Sequence, residues 1–256
     1  MKAATFNANS IRARIEIVID WIKSEQPDLL CLQETKVQDQ DFPAGLFEEM
    51  GYEAIFKGQK SYNGVAVITK LPLNKVRKNL FDDNNEQARF ISAEFDGFDV
   101  INVYVPQGFE VGSEKFIYKL NWLEKLLAYI SNDFQPDMPV ILTGDFNVAL
   151  EPIDLYDPDG FKGKVGFNPD EQSLMSRFFE WGFVDIFRQH NTEGGHYTFW
   201  DYRIPSAFKR KMGWRIDYIL ATRPLAEKAV KVWIDTEPRN REKPSDHTFL
   251  VAEFDT

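Results

Sequence analysis

Apolar residues recur at helical spacing in three stretches of the chain, and these stretches predict its long helices. The second stretch predicts a helix from about Glu114 to Ser131, and the third predicts one from Asp170 to Trp181 that Gly182 ends. The first stretch follows a serine at a helix-capping position, ends before a proline, and places five apolar residues on one face: Ile11, Ile15, Val18, Ile19 and Ile22.

Short runs rich in β-branched and aromatic residues lie between these helices and predict strands. A DGFD sequence separates two of the runs and predicts a hairpin turn. Because strands outnumber helices and the helices fall between groups of strands, we expect two packed sheets with helices outside. The runs are Ala3 to Phe6, Leu29 to Leu32, Tyr52 to Phe56, Val65 to Thr69, Phe90 to Phe95, Val100 to Val105, Val140 to Thr143, Tyr197 to Trp200, Ile216 to Ala221, Val230 to Ile234 and Phe249 to Phe254.

One segment interrupts this alternation. The residues after Asn147, through Asn168, are rich in proline, aspartate and glycine and predict a long surface loop. Loops of this length in compact domains are often functional.

Length and composition favour one domain. The 256 residues are 43% hydrophobic, enough for a large core, and no Pro-, Gly- or Ser-rich linker divides them. No apolar run reaches the roughly 18 residues of a membrane span and the N-terminus lacks a signal-like apolar segment, so we expect a soluble, cytoplasmic protein. The one cysteine, Cys31, has apolar neighbours that favour a buried structural thiol over a nucleophile.

The formal net charge of -10 argues against a nucleic-acid partner, but the charges are unevenly distributed. No acid lies between Asp201 and Asp217, and two aromatic residues, Phe208 and Trp214, are interleaved with basic ones there. Such a run is either a solvated surface or an electropositive loop that contacts DNA; the aromatic residues favour the second interpretation. The basic residues are Arg203, Lys209, Arg210, Lys211 and Arg215.

Polar side chains cluster where four of the apolar runs begin or end. If the strand ends converge, these acids, amides and one imidazole form a single cleft suited to metal-dependent phosphodiester hydrolysis. The clusters are Asn7 with Asn9, Gln33 with Glu34, Asp145 with Asn147, and Asp217 with Asp246 and His247.

Each cluster has a separate chemical interpretation. Glu34 follows a strand and predicts a ligand for Mg2+, a cation that prefers oxygen; a surface glutamate is the alternative. Asp145 and Asn147 lie two apart, on one side of an extended backbone, and can hold a water between them, although an Asx turn would also explain them. Of three histidines, only His247 adjoins an acid, and Asp217 is its candidate partner.

Eight motifs resemble, in order and spacing, those of the exonuclease III family of apurinic/apyrimidinic (AP) endonucleases, within the endonuclease/exonuclease/phosphatase superfamily. The YVPQG, YTFWDYR and GWRIDY blocks look specific to its DNA repair branch. The motifs are TFNANSIR, DLLCLQETK, YNGVAVITK, NVYVPQG, LTGDFNVA, YTFWDYR, GWRIDYIL and KPSDHTFLVAEF.

The resemblance implies a four-layered α/β sandwich, in which two packed, mostly antiparallel β-sheets are flanked by helices, in a single catalytic domain over residues 1–256. It implies catalytic roles for Tyr104, Asp145, Asn147, Asp217 and His247. It also implies a metal site at Glu34, Asn7, Asp246 and Asn9, a DNA contact at Gln107, and an abasic pocket lined by Phe199 and Trp214. Core packing is the alternative for Phe199 and Tyr104.

The implied activity is Mg2+-dependent cleavage of double-stranded DNA on the 5′ side of abasic sites, with trimming of 3′ ends and with Mn2+ able to substitute. We expect a monomer that needs no obligate protein partner and contacts no membrane. The insert IPSAFKRKM bears on the balance of endonuclease and exonuclease. Two alternatives are a metal-dependent phosphatase or phosphodiesterase acting on a non-DNA phosphoester, such as a lipid or inositol phosphate, and a nucleic-acid-binding module without catalysis.

Overall fold

Two mixed β-sheets form the centre of the protein. The computed structural model describes residues 1–80 and 87–255. Its strands are β1 (Lys2–Asn7), β2 (Leu29–Gln33), β3 (Glu53–Lys57), β4 (Val65–Thr69), β5 (Leu73–Arg77), β6 (Phe90–Phe95), β7 (Phe98–Tyr104), β8 (Val140–Asp145), β9 (Phe183–Asp185), β10 (Asp217–Thr222), β11 (Ala229–Asp235) and β12 (Phe249–Phe254). The first six-stranded sheet has the order β11-β12-β1-β2-β4-β3, and the second has the order β5-β6-β7-β8-β10-β9.

The two sheets pack against each other through apolar side chains that point inward from both. Leu29 and Val67 of the first sheet share one buried cluster with Ile91 and Ile141 of the second. Inward-facing residues alternate with outward-facing ones along each strand, so each strand supplies two layers of core.

Helices cover the outer faces of both sheets. Trp21 of the first helix stacks on Phe249 of the first sheet, and Trp122 packs with Leu142 of the second. This helix–sheet–sheet–helix arrangement confirms the predicted four-layered sandwich. The helices are α1 (Ile11–Glu25), α2 (Ala44–Glu48), α3 (Glu114–Asp133), α4 (Pro158–Phe161), α5 (Pro169–Trp181), α6 (Ile186–His190) and α7 (Arg223–Ala226).

The directions of the strands decide which side chains meet. β1 runs parallel to β2, β7 runs parallel to β8, and the other strand pairs in the described residues are antiparallel. The C-terminal ends of the two pairs lie at one edge of the molecule, where the Asn7 side chain at the end of β1 donates to Asp145 at the end of β8 at 2.8 Å. Asp217, at the start of β10, is in register with Asp145 at the end of β8, and Ser245 returns the chain to Asn7 with a 2.7 Å hydrogen bond from its hydroxyl to the Asn7 carbonyl.

Two predicted elements differ from the structure, and the sequence pattern did not predict every strand. The expected strand from Tyr197 to Trp200 consists of isolated bridges from Phe199 to Trp214 and to His247, because the chain there crosses strand ends instead of joining a sheet. The expected loop after Asn147 contains a 3-10 turn, Pro152–Asp154, and the short helix α4. The strand β5 was not predicted. It is an edge strand with charged residues, so it lacks the run of apolar residues from which the other strands were predicted.

Cys31 lies fully buried in β2, as predicted. Burial raises the pKa of its thiol far above the ordinary range, so the thiolate needed for nucleophilic attack does not form. Within residues 1–80 and 87–255, none of the helices combines the length and the apolar character needed to cross a membrane.

Candidate active site

A cleft of about 910 Å³ opens at the edge where the parallel strand pairs end. Its floor is polar and one wall is aromatic. Nine residues predicted from the sequence line it: Glu34, Tyr104, Gln107, Asn147, Phe199, Arg203, Trp214, Asp246 and His247. Asp145 and Asp217 lie directly behind this lining, fully buried.

His247 lies at the floor of the cleft and is held between two aspartates behind it. Its Nδ1 lies 2.8 Å from Asp217 Oδ2, and its Nε2 lies 3.7 Å from Asp145 Oδ2. Burial alone would lower the pKa of His247, but the carboxylates of Asp217 and Asp145 outweigh it and raise the pKa to about 10. The imidazole is therefore a buried cation at neutral pH. The second Asp217 oxygen, Oδ1, is buried without a hydrogen-bond partner.

Asp145 and Asn147 form a compact pair at the end of β8. Asp145 Oδ1 accepts the Asn147 backbone N–H at 2.9 Å, and Oδ2 lies 3.3 Å from Asn147 Nδ2. The Asx-type turn is thus present, and the functional role of the pair stays a prediction. Burial raises the pKa of Asp145 to about 7, with Asp217 and Glu34 adding to the rise and His247 opposing it. This carboxylate can exchange a proton near neutral pH.

Gly144 allows the backbone to carry this pair. Its φ is +137°, and a Cβ there would lie 2.0 Å from the Val103 carbonyl oxygen on the neighbouring strand. The sheet therefore excludes any side chain at this position, immediately before Asp145.

Glu34 also lines the cleft, and its backbone is left-handed with a φ of +50°. Its Oε1 accepts the Asn7 side-chain amide at 2.8 Å and its Oε2 pairs with Lys36 Nζ at 2.8 Å. Burial would raise the pKa of Glu34, but Lys36 and the Asn7 hydrogen bond outweigh it and lower the pKa below its usual range. The residue is thus a carboxylate.

Asn7 and Asn9 connect acids to one another. Asn7 Nδ2 donates to Glu34 and, at 2.8 Å, to Asp145, while its oxygen accepts the Asn9 backbone N–H. Asn9 Nδ2 donates to Asp246 Oδ1 at 2.9 Å, and its oxygen accepts from Lys36. Both amide oxygens, the atoms that would ligate a metal, are engaged within the protein. Each amide oxygen keeps a second lone pair, so the placement of Asn7 and Asn9 at the metal site stays a prediction.

The donor set suits a hard divalent cation. Glu34, Asp145 and His247 each offer one ligand atom, and these atoms lie within 4.8 Å of one another; they form the one such group among the described residues. Because His247 is cationic, the carboxylate oxygens are the chemically suitable ligands. Oxygen-rich sites of one or two carboxylates are typical of Mg2+.

Tyr104 lies at the end of β7 beside these acids. Burial raises the pKa of its hydroxyl well above the ordinary value, and the charges of Glu34 and Asp145 raise it further, so the phenol stays protonated. The Arg89 guanidinium lies 4.6 Å from the Tyr104 ring centroid and donates to the Tyr104 carbonyl at 3.1 Å. The aromatic ring is thus packed, and it also lines the cleft.

Phe199 and Trp214 form the aromatic wall. Both are partly exposed, and the Phe199 ring centroid lies 4.9 Å from that of His247. Phe161, from α4, meets Trp214 edge to face at 4.6 Å. Gly166 adjoins the same indole: a Cβ there would lie 2.9 Å from a Trp214 ring carbon. The segment predicted as a loop thereby supplies the far side of the pocket.

Four of the five predicted basic contacts lie on the surface. Arg203, Lys209, Arg210 and Lys211 are exposed, and Arg203 forms a two-pronged ion pair with Asp201. The side chain of Gln107 accepts the Phe109 N–H at 2.8 Å, which shapes the turn at the cleft rim.

The prediction that Arg215 contacts DNA is wrong, because its side chain is fully buried. Its Nε lies 2.7 Å from Asp154 Oδ1, and its Nη1 lies 2.8 Å from Asp185 Oδ2. Two acids and the Tyr218 ring 4.6 Å away replace the solvent around the guanidinium. Arg215 therefore anchors the segment between Trp214 and Asp217 from inside the protein.

Sequence reasoning did not single out Lys36, Arg89 or Phe109. Lys36 is two residues from Glu34, and this spacing is a signal that was present in the sequence. Phe109 is 67% exposed at the rim of the cleft, with a φ of +63°. Nothing in the sequence around Phe109 indicates a functional position, so only the structure shows that it lies at the rim.

Comparison with known proteins agrees with this geometry. A model of the Endonuclease/Exonuclease/phosphatase family matches residues 4–247. An exodeoxyribonuclease III from Haemophilus influenzae is 36% identical over 267 aligned positions, which cover 99% of this chain and 100% of the relative.

Solved structures are similar over the whole chain. An AP endonuclease from Archaeoglobus fulgidus superposes with a TM-score of 0.97 at 46% identity, with 100% of both chains covered. A 3′ phosphatase from Neisseria bound to a product DNA hairpin superposes with a TM-score of 0.94 at 36% identity, again over 100% of both chains.

Proposed function

The chain belongs to the endonuclease/exonuclease/phosphatase family, in its exonuclease III branch of phosphodiester hydrolases, and on this basis we propose that it incises duplex DNA on the 5′ side of abasic sites. One observation carries the proposal. The cationic His247, the buried Asp145 and the amide of Asn147 converge at the polar floor of a cleft whose wall is the aromatic pair Phe199 and Trp214. The polar floor is suited to binding a phosphate, and the aromatic wall is suited to binding a sugar without a base.

The residues on the floor have distinct roles in hydrolysis. Asp145, with a pKa near neutrality, accepts a proton from the attacking water, and Asn147 orients that water. The His247 imidazolium, kept charged by Asp217, stabilises negative charge on the phosphoryl oxygens. The protonated Tyr104 hydroxyl donates a hydrogen bond to the phosphate.

Glu34 and Asp246 are the residues that would hold a divalent metal, because both are acids at the cleft surface. Asp145, the other carboxylate close to Glu34, lies behind this surface and is left to accept a proton. We propose Mg2+, with Mn2+ able to substitute. When bound, the metal supplies positive charge to the phosphodiester and its leaving oxygen. Asn7 and Asn9 orient the acids by hydrogen bonds, and Lys36 fixes the Glu34 carboxylate.

The aromatic wall offers a reason for choosing abasic sites. A sugar without a base loses stacking and pairing, so turning it out of the duplex costs less than for a normal nucleotide. The pocket between Phe199 and Trp214 would accept the bare sugar, and Phe161 and Gly166 limit its size. The exposed Arg203, Lys209, Arg210 and Lys211 would contact backbone phosphates next to it.

The test is incision of a 5′-labelled duplex that carries one stable abasic analogue, with Mg2+ and with a chelator. The proposal predicts a single Mg2+-dependent product that ends directly before the lesion, and none with His247→Ala. A lesion strand that stays intact while the folded enzyme degrades other phosphoesters would overturn it. Matched duplexes with a normal nucleotide at the same position serve as the control.

A second activity, removal of nucleotides or phosphates from 3′ ends, has its own support. The Haemophilus relative is named an exodeoxyribonuclease III and the Neisseria structure a 3′ phosphatase. The same duplex with a recessed or phosphorylated 3′ end measures it. An inositol phosphate offered in the same assay tests the non-DNA alternative, and its hydrolysis in preference to DNA would favour that alternative.

We further propose that residues 1–256 act as one catalytic domain, as a cytoplasmic monomer without an obligate protein partner. Sedimentation of the active enzyme measures the oligomeric state. A dimer would contradict the proposed monomer without affecting the assigned site.

A further inference from the structure

Lys119 is fully buried on α3, one helical layer behind the cleft. Its Nζ has three hydrogen-bond acceptors: the Asn147 carbonyl oxygen at 2.8 Å, the Gln107 carbonyl oxygen at 3.3 Å, and Glu171 Oε1. An ammonium group has three N–H donors, so all of them are used inside the protein. The solvent-free environment leaves no other partner for this charge.

Glu171, on α5, completes the connection. Its side chain is fully buried, and its second oxygen, Oε2, accepts the backbone N–H of Gly166 at 2.8 Å. Burial lowers the pKa of Lys119 and raises that of Glu171, and each partner opposes the effect on the other. The pair is therefore held together by the attraction between opposite charges and by the hydrogen bond between the two side chains.

The pair joins three backbone segments that form different parts of the cleft. Gln107 lies in the rim, Asn147 in the floor, and Gly166 against the Trp214 indole of the wall. Gly166 is also linked to the floor segment, since its carbonyl accepts the Ala149 N–H at 2.7 Å. One buried ammonium group thereby sets the relative positions of rim, floor and wall.

Asn147 needs such support. Its backbone has a φ of +53°, a left-handed conformation that non-glycine residues adopt at a cost. Its side-chain Nδ2 donates to the Val105 carbonyl at 3.0 Å, but its own carbonyl oxygen takes its hydrogen bond from Lys119. Without the ammonium, the Asn147 carbonyl loses this hydrogen bond, so the left-handed backbone and the side-chain amide it carries are held less firmly.

We propose that Lys119 and Glu171 are positioning residues that hold the Asn147 amide, and through Gly166 the aromatic wall, in the geometry needed for hydrolysis. The inference rests on the proposed function of the cleft. Stability alone does not explain the pair, because a buried ion pair stabilises a fold little compared with well-packed apolar residues of similar volume. Positional specificity does explain it, since no apolar side chain can bind the Asn147 carbonyl.

The experiment compares a double variant with its single variants. Lys119→Met with Glu171→Leu removes both charges together, so no unpaired buried charge is left, and any fall in melting temperature reflects only the backbone groups that lose a hydrogen-bond partner. The carbonyl of Asn147 nevertheless loses its donor. We expect kcat on the abasic duplex to fall about 10- to 100-fold, the size of effect that small displacements of catalytic groups produce.

A cycle with Asn147 separates positioning from general destabilisation. In an Asn147→Ala background, the double variant is expected to lower kcat less than about threefold, because the group it positions is already absent. Leu126→Ala, a fully buried apolar change on the same helix, is the matched control. It should lower the melting temperature and leave kcat unchanged, both in the wild type and in the Asn147→Ala background.

Lys119→Met with Glu171→Gln serves as a second variant in case the first double variant folds poorly. It also removes both charges and the donor to the Asn147 carbonyl, but it keeps an acceptor for the Gly166 N–H. A decrease in kcat that disappears in the Asn147→Ala background supports the inference. Folded variants with wild-type kcat, or decreases that multiply fully with Asn147→Ala, overturn it.

Wild-type activity distinguishes the two proposals. If the wild type incises the abasic duplex and the variants match it, only the positioning role fails. If the wild type leaves the abasic duplex intact and degrades 3′ ends, the proposed abasic specificity fails, and the same cycle is measured on the 3′-end substrate.

Discussion

His247 Nδ1 and Asp217 Oδ2 are 2.8 Å apart although the residues are 30 positions apart in the chain. The hydrogen bond fixes the imidazole so that Nε2 faces Asp145 and the floor of the cleft. Asp217 is in turn held by its register opposite Asp145, so the sheet itself positions the two acids on either side of the ring. The geometry makes Asp217 the residue that orients and charges His247.

Asp217→Asn is therefore expected to lower kcat by about 100-fold or more, because an amide of the same shape neither charges the imidazole nor accepts from Nδ1 as strongly. Single-turnover incision of the abasic duplex measures the effect. Asp235→Asn is the matched control, since Asp235 accepts the Trp21 indole N–H at 2.9 Å outside the cleft. Equal decreases in both variants would mean that Asp217 acts only on the fold.

Glu34→Gln should abolish Mg2+-dependent incision, by at least about 100-fold, because the amide lacks the charge that a hard cation requires. The fold should persist, since a glutamine can still bond to Asn7. Titration calorimetry with Mn2+ is expected to give weaker binding in the same variant. Glu110→Gln, at an exposed glutamate of the cleft rim, is the control. Wild-type metal binding by Glu34→Gln would remove Glu34 from the metal site.

Gly166→Ala should raise KM for the abasic duplex or lower kcat about tenfold, since the new methyl group overlaps the Trp214 ring and displaces the pocket wall. Gly163→Ala is a close control. Its φ of +76° is similar to the +86° of Gly166, so the backbone strain is shared, but nothing lies within 4 Å of a Cβ there. A similar decrease of activity in both variants would attribute the effect to strain instead of the wall.

Replacing Lys209, Lys211 and Arg210 together with alanine should weaken DNA binding uniformly across sequences. The slope of log affinity against log salt is expected to flatten by up to about 3, roughly 0.9 for each phosphate that the loop no longer neutralises. Fluorescence anisotropy over a salt series measures it. The control triple replaces three exposed lysines near the opposite ends of the strands: Lys23, Lys70 and Lys228. An unchanged salt slope would show that the loop does not bind phosphates.

Asp99→Asn should stabilise the protein above about pH 6. Asp99 pairs across the hairpin with Glu94, and burial together with that like charge raises its pKa to about 6. The folded state thus binds the proton more tightly than the unfolded chain, whose aspartates titrate near pH ~3.9, so the charged group destabilises the fold at higher pH.

The expected gain for Asp99→Asn is modest, about 0.5 kcal/mol for a partly exposed cross-strand pair, and it should disappear as the pH falls below about 4. Thermal melts at several pH values measure it. Asp96→Asn, in the turn of the same hairpin, is the control for removing a carboxylate that does not face Glu94. Identical melting of Asp99→Asn and wild type at pH 8 would contradict the assignment.

Much of the site could be predicted because its chemistry is local in the sequence. Asp145 and Asn147 lie two apart after a buried strand, and Asp246 and His247 precede one. Strand and helix periodicities placed these residues at element ends, which is where clefts form. Arg215 was misassigned because the same local reasoning treats a basic residue beside exposed lysines as part of their surface.

The acids that bury Arg215 are far away in the chain. Asp154 is 61 positions before it and Asp185 is 30 positions before it, and neither spacing has a periodic signature. Lys119 and Glu171 are likewise 52 positions apart, on two helices whose predicted apolar faces gave no sign of a charge between them. A charged side chain can be buried only where a partner of opposite charge lies beside it. The packing of distant elements therefore decides whether it is buried.

Local periodicity and residue chemistry were enough to establish the layered α/β architecture, the set of acids, amides and imidazole, and their placement at strand ends. Which of these side chains meet depends on the tertiary structure. The register of β8 with β10 places Asp145 opposite Asp217, and the packing of α3 on α5 places Lys119 behind Asn147. Such contacts follow from strand order and from the crossing of distant elements, which no local pattern encodes.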